Sequence, residues 1–358
     1  MTTPSAIRSH IAPGRGALAL DAQAVDANTL ADLSARMGIS MDQLTPPNFP
    51  AGVTTPLEYL RTFLPGLVRI VTTPRKIDEL IGIDTVGSWE DEEIIARLIE
   101  GLGIASPYTD LANIPLASWN PGFERRTVVR FEQGFRTGPL EEARTARADL
   151  DTRNEKRAAA IASLDYARNE IGFFGFNAGE NRTFGLMNDP GLPAFVAAPN
   201  GAGGDSEWST KTFQEIIADL RQILEGIRIS SAGTVDPSTT AITMGLPLSA
   251  MGALGVVSDY GNSVADWMAQ TYSNVRIVGA PQFEYAAAGE SIALAWADSA
   301  PEDDGSTDGG RTWQQLVPER ARMIGSETGA KHYVEDHSNA TAGVILKRPF
   351  LVYGLTGV

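Results

Sequence analysis

Gly101-Leu-Gly-Ile-Ala-Ser-Pro107, the run on to Trp119-Asn-Pro-Gly122, the strand-like stretch 127–135 and the helix-favouring stretch 139–171 decide how this chain is read. The first two make a Gly- and Pro-punctuated excursion, and 127–135 is its expected return strand. At 1.5 Å per residue a helix over 139–171 would be about 50 Å long. Its large aliphatic residues are only Leu140, Leu150, Ile161, Leu164 and Ile171, while 13 of its 33 residues are charged. A helix packed inside an enzyme carries a wider apolar face. The pairs Asp149/Arg153 and Arg147/Asp151, at i, i+4, are expected to support it as an exposed helix. A long hairpin feeding a long, thinly apolar helix predicts surfaces meant for other copies of the chain.

Working outward, the 358 residues are enough for a buried core and about two domains. A hydrophobic content of 43% with 20% charge is that of an ordinary folded protein. No apolar run approaches the roughly 18 residues of a membrane span. Met1-Thr-Thr-Pro-Ser5 lacks the basic and apolar regions of a signal peptide, and a soluble, cytosol-made protein is expected. The absence of cysteine excludes disulfides, thiolate metal sites and a cysteine nucleophile. Net charge is −15, with 11 acids against 4 bases over 201–300 and 10 bases against 7 acids over 125–168. Nothing forms a basic stripe able to follow a phosphate backbone.

Residues 1–70 read as an extended arm, because Thr45-Pro-Pro-Asn-Phe-Pro50 and Thr55-Pro56 interrupt any packed element. Strands are expected near 76–83 and 92–98, and 198–209 reads as a linker. Phe213, Ile216, Ile217, Leu220, Ile223, Leu224 and Ile227 then mark an amphipathic helix. Strands over 240–244, 275–278 and 291–297, with helices near 247–254 and 263–272, complete a second unit. The tail 341–355 is strand-rich and expected to pair back into the first domain.

Few residues suggest chemistry. His332-Tyr-Val-Glu-Asp-His337 is the best metal candidate, but zincins need two His one helical turn apart. Here the spacing is five on strand-prone sequence, which sets the two on opposite faces. Gly201-Ala-Gly-Gly204 lacks the Gly-Lys-Ser/Thr of a phosphate loop. Asp303, Asp304 and Asp308 miss the calcium-loop spacing. No Gly-x-Ser-x-Gly elbow is present. No catalytic, cofactor-binding or metal residue is assigned, and the chain is expected not to be an enzyme.

Over about 70–358 the order of elements resembles the major capsid proteins of tailed bacteriophages, which share the Hong Kong 97-type fold. The residues carrying it are Ala105-Ser-Pro-Tyr-Thr-Asp-Leu-Ala-Asn-Ile-Pro-Leu-Ala117, Thr127-Val-Val-Arg-Phe-Glu-Gln-Gly134, Gly138-Pro-Leu-Glu-Glu-Ala143 and Thr183-Phe-Gly-Leu-Met-Asn-Asp-Pro190. Met244-Gly-Leu-Pro247, Asn274-Val-Arg-Ile-Val278 and Lys347-Arg-Pro-Phe-Leu-Val-Tyr353 add to it. The resemblance implies an α+β fold with an N-terminal arm (1–70) and a peripheral domain (71–204 plus 305–358). That domain would hold an extended E-loop (101–126) and a spine helix (139–171), and 205–304 would be an axial domain. Contacts between copies are expected at Tyr108, Asp110, Leu111, Trp119, Phe123, Arg125 and Arg126 on the E-loop. Along the helix they are expected at Arg144, Arg147, Arg153 and Arg157.

The function so implied is self-assembly into hexamers and pentamers of an icosahedral head around double-stranded DNA, without sequence-specific binding. A separate scaffold protein, a portal and decoration proteins are the expected partners, with assembly in the host cytoplasm and no membrane. Some relatives cross-link an E-loop Lys to a neighbour's Asn; 101–126 contains no Lys, so a shell without cross-links is expected. Two alternatives are an encapsulin-like nanocompartment shell and a metal-dependent enzyme using His332, Glu335 and His337.

Overall fold

The computed structural model describes residues 74–103, 110, 116–147, 150–284, 286, 289–300, 306 and 308–358. All belong to one compact unit, Thr72–Val358; the arm expected over 1–70 lies outside the described residues. A single helical turn, α1 (Ile77–Leu80), stands where a strand was expected over 76–83. Its Ile77 and Leu80 are buried, and Asp78 takes two hydrogen bonds from Arg168 at 2.6 and 2.7 Å. One apolar residue every three suits a turn of helix better than a strand.

β1 (Glu93–Leu102) and β2 (Ser118–Thr127) pair antiparallel along their whole length, from Glu93 opposite Thr127 to Leu102 opposite Ser118. The excursion is therefore a hairpin, but its return strand comes earlier than expected. β3 (Val129–Thr137) instead pairs with β10 (Tyr333–Thr341), which also pairs with β9 (Glu319–Thr328). The expected return strand is thus an edge of a separate three-stranded sheet, ordered β3–β10–β9.

The rod expected over 139–171 is two helices, α2 (Pro139–Ala146) and α3 (Thr152–Phe174). Asp151 caps α3 by accepting from the Asn154 backbone N–H at 3.2 Å, so its side chain starts a new helix instead of continuing the old one. Arg153 then bonds Glu142, and Lys156 bonds Glu141 at 2.8 Å, across separations of 11 and 15 residues. In one straight helix 11 residues span about 16 Å, so α2 bends back on α3. Asp151 serves as the cap, and no Arg147/Asp151 pair forms among the described residues; the expected Asp149/Arg153 pair falls on Asp149, outside the described residues, while Arg153 pairs with Glu142. α3 lies on the three-stranded sheet, where the Asn339 amide donates to the Leu164 carbonyl at 2.9 Å.

The main core surrounds a five-stranded sheet ordered β4 (Val196–Ala197), β12 (Val352–Thr356), β7 (Ile292–Ala297), β5 (Ile242–Leu246), β6 (Val275–Gly279). All six residues of β7 are buried, as in a strand covered on both faces. Ala293, Ala295 and Ala297 face α4 (Phe213–Ser230) and its Ile216, Leu220, Ile223, Leu224 and Ile227. Ile292, Leu294 and Trp296 face the opposite core with Phe173, Phe283 and Trp313. Burying each large apolar side chain contributes about 1.5–3 kcal/mol. Gly245 in β5 is required by close approach, since a Cβ there would come within 2.5 Å of the Phe283 ring. Two short helices, α5 (Leu248–Ala253) and α6 (Val264–Thr271), lie where the sequence placed them.

The expectations for the tail and for the linker change here. The tail pairs through β12 with β7 over five residues and with β4 over two, so it closes this sheet more than it returns to the first domain. β11 (Val344–Leu346) pairs with β8 (Trp313–Gln315). The division expected near 204 and 305 thus crosses one sheet, which takes β4 and β12 from one side and β5, β6 and β7 from the other. The stretch read as a linker is also anchored. Trp208 is buried and its indole N–H donates to Asp219 at 2.9 Å, beside the Lys211–Asp219 ion pair at 2.5 Å.

Candidate intersubunit surfaces

Directly opposed residues of an antiparallel pair share a face. On the hairpin, one face therefore carries Ile95, Arg97 and Ile99 on β1 and Arg125, Phe123, Pro121 and Trp119 on β2. Ile99 is 73% exposed, Trp119 62% and Phe123 60%. The other face is covered near its base, where Ile94 and Ala96 pack against Val128, Leu316, Ala340 and Ile345. Beyond Ala96 the hairpin stands clear of the described body, with Leu98 and Leu102 also exposed. An open cluster of large apolar side chains on a two-stranded ribbon marks an interaction surface.

The base is fastened by Arg126. Its guanidinium is buried, bonds Asp189 at 2.7 Å and also pairs with Glu124. It lies 5.0 Å from the centroid of the Phe184 ring. Asp189 also accepts backbone N–H bonds from Gly191 at 2.9 Å and Leu346 at 3.2 Å. Arg126 is therefore committed to the base of the hairpin within its own copy: adjacent residues of a strand point to opposite faces, and Arg126 takes the inner one. Arg125 takes the outer face and is exposed, 3.8 Å from Glu93. Asp110 is exposed; Tyr108 and Leu111 lie outside the described residues.

The helical arginines divide. Arg157 bonds both oxygens of Glu335, at 2.6 and 2.7 Å. Arg153 bonds Glu142 and lies 4.6 Å from the Tyr333 ring centroid. These two guanidinium groups are occupied within their own copy. Arg144 and Arg147 are exposed and make no ion pair with the described residues.

Glu335 also accepts from the Tyr333 hydroxyl at 2.7 Å and lies 2.8 Å from His337 Nε2. The Arg157 hydrogen bonds hold its carboxyl at about 2, against the opposing effect of burial, with further help from Tyr333 and His337. Glu335 is therefore a structural hub with its acceptor capacity used. Among the described residues no group of three His, Asp or Glu could hold a metal ion.

Two features escaped the sequence reading. Ile95 and Arg97 fell within the strand expected over 92–98 and Ile99 just beyond it, and none was read as part of the hairpin, although Glu93-Ile-Ile-Ala-Arg-Leu-Ile99 is apolar on both sides of a strand. Tyr260 is 94% exposed in the turn between α5 and α6, beside exposed Val257. A lone aromatic among Asp259, Gly261 and Asn262 gives no periodic signal.

The sequence matches the family model of the Pa193 gp26 major capsid protein over residues 46–357. The chain belongs to this major capsid protein family. Solved structures agree on the fold. The capsid of Myoviridae phage XM1 superposes with a TM-score of 0.69 at 14% identity, covering 86% of this chain and 100% of that one. The structure from Mycobacterium phage Ogopogo gives 0.54 at 10% identity, covering 85% and 99%. The capsid of an empty GTA particle gives 0.56 at 11% identity, covering 83% and 95%. No curated protein matches the sequence. The capsid protein thus has the Hong Kong 97-type fold and is a structural component of a phage head, not an enzyme. This selects the phage head over the nanocompartment and metal-enzyme alternatives. No helix among its described residues is long and apolar enough to cross a membrane.

Proposed function

We propose that copies of this capsid protein build hexamers and pentamers of a closed icosahedral shell, each laying its β1–β2 hairpin on a neighbour. The observation that carries the reading is the outer hairpin face, open at Ile95, Ile99, Phe123 and Trp119 while Arg126 fixes the base. A hairpin alone in water is marginal, and another copy supplies the missing layer. In this reading 1–70 is an arm, 71–204 with 305–358 the peripheral domain and 205–304 the axial domain, which presents Tyr260. Of the arginines expected at contacts, Arg125, Arg144 and Arg147 are exposed and the least engaged within their own copy, and they are open to meet neighbours. The shell encloses double-stranded DNA without reading its sequence, as a net charge of −15 and no basic stripe suit. A separate scaffold, a portal and decoration proteins complete assembly in the host cytoplasm.

The test is the double variant Trp119→Asp with Phe123→Asp. Folded subunits that do not close into shells under electron microscopy are expected. Normal shells would show that the outer face has no role between copies.

A further inference from the structure

We infer that the open edge of β9 joins two copies of the chain. In this contact β9 of one copy pairs antiparallel with β9 of another about a two-fold axis, and Arg322 of each stands opposite Glu327 of the other. It lies on a different element from the hairpin and needs only that copies of the chain meet.

β9 borders β10 on one side and no strand among the described residues on the other. It is ten residues long, Glu319-Arg-Ala-Arg-Met-Ile-Gly-Ser-Glu-Thr328, and nine of them are exposed. Along such an edge about half of the backbone N–H and C=O groups point away from the sheet. Folded proteins blunt long edges with Pro or Lys, and β9 contains neither. It carries instead Met323, 56% exposed, and Ile324, 52% exposed. A long edge with exposed apolar residues is a template for another strand.

A bulge in β9 selects which strand. The register with β10 shifts between Asp336, opposite Gly325, and His337, opposite Met323, which leaves Ile324 as the extra residue. Glu335 and Asn339 of β10 bond Arg157 and the Leu164 carbonyl of α3, so their face of the sheet is the helix side. Arg322, Gly325 and Glu327, opposite Ser338, Asp336 and Val334, share the face turned away from α3. Met323 and Ser326, opposite His337 and Glu335, share the helix side. In a regular strand residues 322 and 327, five apart, would point to opposite faces; the extra residue brings them to one. A regular partner has to skip a residue at Ile324, as β10 does. A second β9, run antiparallel, carries the same extra residue and keeps both faces matched throughout. Arg322 then meets Glu327, Met323 meets Ser326 and Ile324 meets Gly325, each twice by symmetry.

The side chains fit this register. Glu327 makes no ion pair with the described residues. Arg322 lies 3.7 Å from Glu319 and 5.2 Å from the Trp89 ring centroid; an exposed pair of that length holds it weakly. Ile324 meets a glycine where a Cβ would find nothing within 4 Å, so a bulky side chain faces a gap. Sliding by one residue sets Arg322 against a residue of the helix side. Sliding by two, toward Met323 opposite Ile324, leaves Arg322 against Gly325 and gives Glu327 to Arg320. The patch is self-complementary, which is what a two-fold contact requires. The ion pairs fix the register and exclude wrong partners more than they add affinity, while the strand hydrogen bonds and Ile324 supply the adhesion.

The test uses the full chain. Arg322→Glu and Glu327→Arg are each expected to cut the yield of closed shells about tenfold or more, because like charges meet twice per contact. The two together should restore most of it, and Arg320→Glu should leave it unchanged. Normal shells from both single variants, a combined swap no better than either alone, or a loss confined to Arg320→Glu overturn the contact. The chain has no cysteine, so Arg322→Cys with Glu327→Cys gives a second measurement. Within one strand the two positions are about 16 Å apart, too far to bridge. Mild oxidation of shells should yield a dimer band that reductant removes and nothing larger, since a two-fold contact closes after two copies. Monomers alone, or a ladder beyond the dimer, overturn it, and this measurement decides should circular dichroism show a charge variant misfolded. If the Arg322 and Glu327 charge variants close while Trp119→Asp with Phe123→Asp does not, this contact falls and the hairpin reading stands.

Discussion

Arg125 and Arg126 are neighbours in sequence with opposite fates, and the pleat of β2 separates them. Arg126 lies buried against Asp189, whose remaining oxygen capacity is taken by two backbone N–H groups. Removing one partner of a buried pair leaves an uncompensated charge and costs about 3–5 kcal/mol. An exposed pair such as Arg125–Glu93 is worth about 0–1 kcal/mol. Arg126→Ala is therefore expected to lower the denaturant midpoint of free subunits far more than Arg125→Ala; equal shifts would remove Arg126 as the fastening of the hairpin base. Glu335 gives a second prediction. Its pKa of about 2 in the folded chain lies below the ordinary 4.5, chiefly through the Arg157 hydrogen bonds. A depressed carboxyl stabilises fully above the unfolded value and loses that contribution as pH falls toward the folded one. The melting temperature of the wild type should thus fall more steeply between pH 4.5 and about 2 than that of Glu335→Gln. Parallel curves would show that the hub does not couple to folding.

The hairpin is the element whose behaviour should differ most between a free subunit and a shell. Its outer half has no layer against the open face, and two strands alone are marginal. Backbone amides of 97–102 and 118–123 are expected to exchange with solvent quickly in free subunits and slowly in shells. Those of β5 and β7, buried on both faces, should be slow in both. Slow exchange of the hairpin in free subunits would mean that its own chain covers it. The elements legible in sequence were those with a strong period: α4, with seven apolar residues on one stripe, and the buried β7. Those misread had weak or competing signals. The break between α2 and α3 turns on the side chain of Asp151, which outcompetes helix continuation through a run otherwise rich in helix formers. The hairpin return strand was misplaced because Pro121 and Gly122 read as turn residues, although an edge strand tolerates both. Trp119, Phe123 and Arg125 were legible as exposed because nothing nearby could cover them. Arg126 was not, because its partner Asp189 lies 63 residues away.

At the scale of the whole molecule, what holds a shell together depends on whether its copies can become covalently joined. An amide cross-link needs a lysine amine free to reach a carbonyl of a neighbour. The chain has five lysines, Lys76, Lys156, Lys211, Lys331 and Lys347. Four are tied to carboxylates of their own copy: Lys76 to Glu79 at 2.5 Å, Lys156 to Glu141 at 2.7 Å, Lys211 to Asp219 at 2.5 Å and Lys347 to Asp308 at 3.1 Å. Lys211 is in addition buried, out of reach of any neighbour. Lys331 is exposed in the turn between β9 and β10, and the segment 101–126, which holds the far half of the hairpin, contains no lysine. Cohesion is then expected to come from many copies of non-covalent contacts, each of modest strength. Purified shells heated in detergent are expected to run as a single band at the mass of one chain. Because association enters by mass action, their denaturant midpoint should also rise with total subunit concentration. A ladder of multimers on the gel would overturn this and direct attention to Lys331, the exposed amine at the end of the same sheet that carries Asp336.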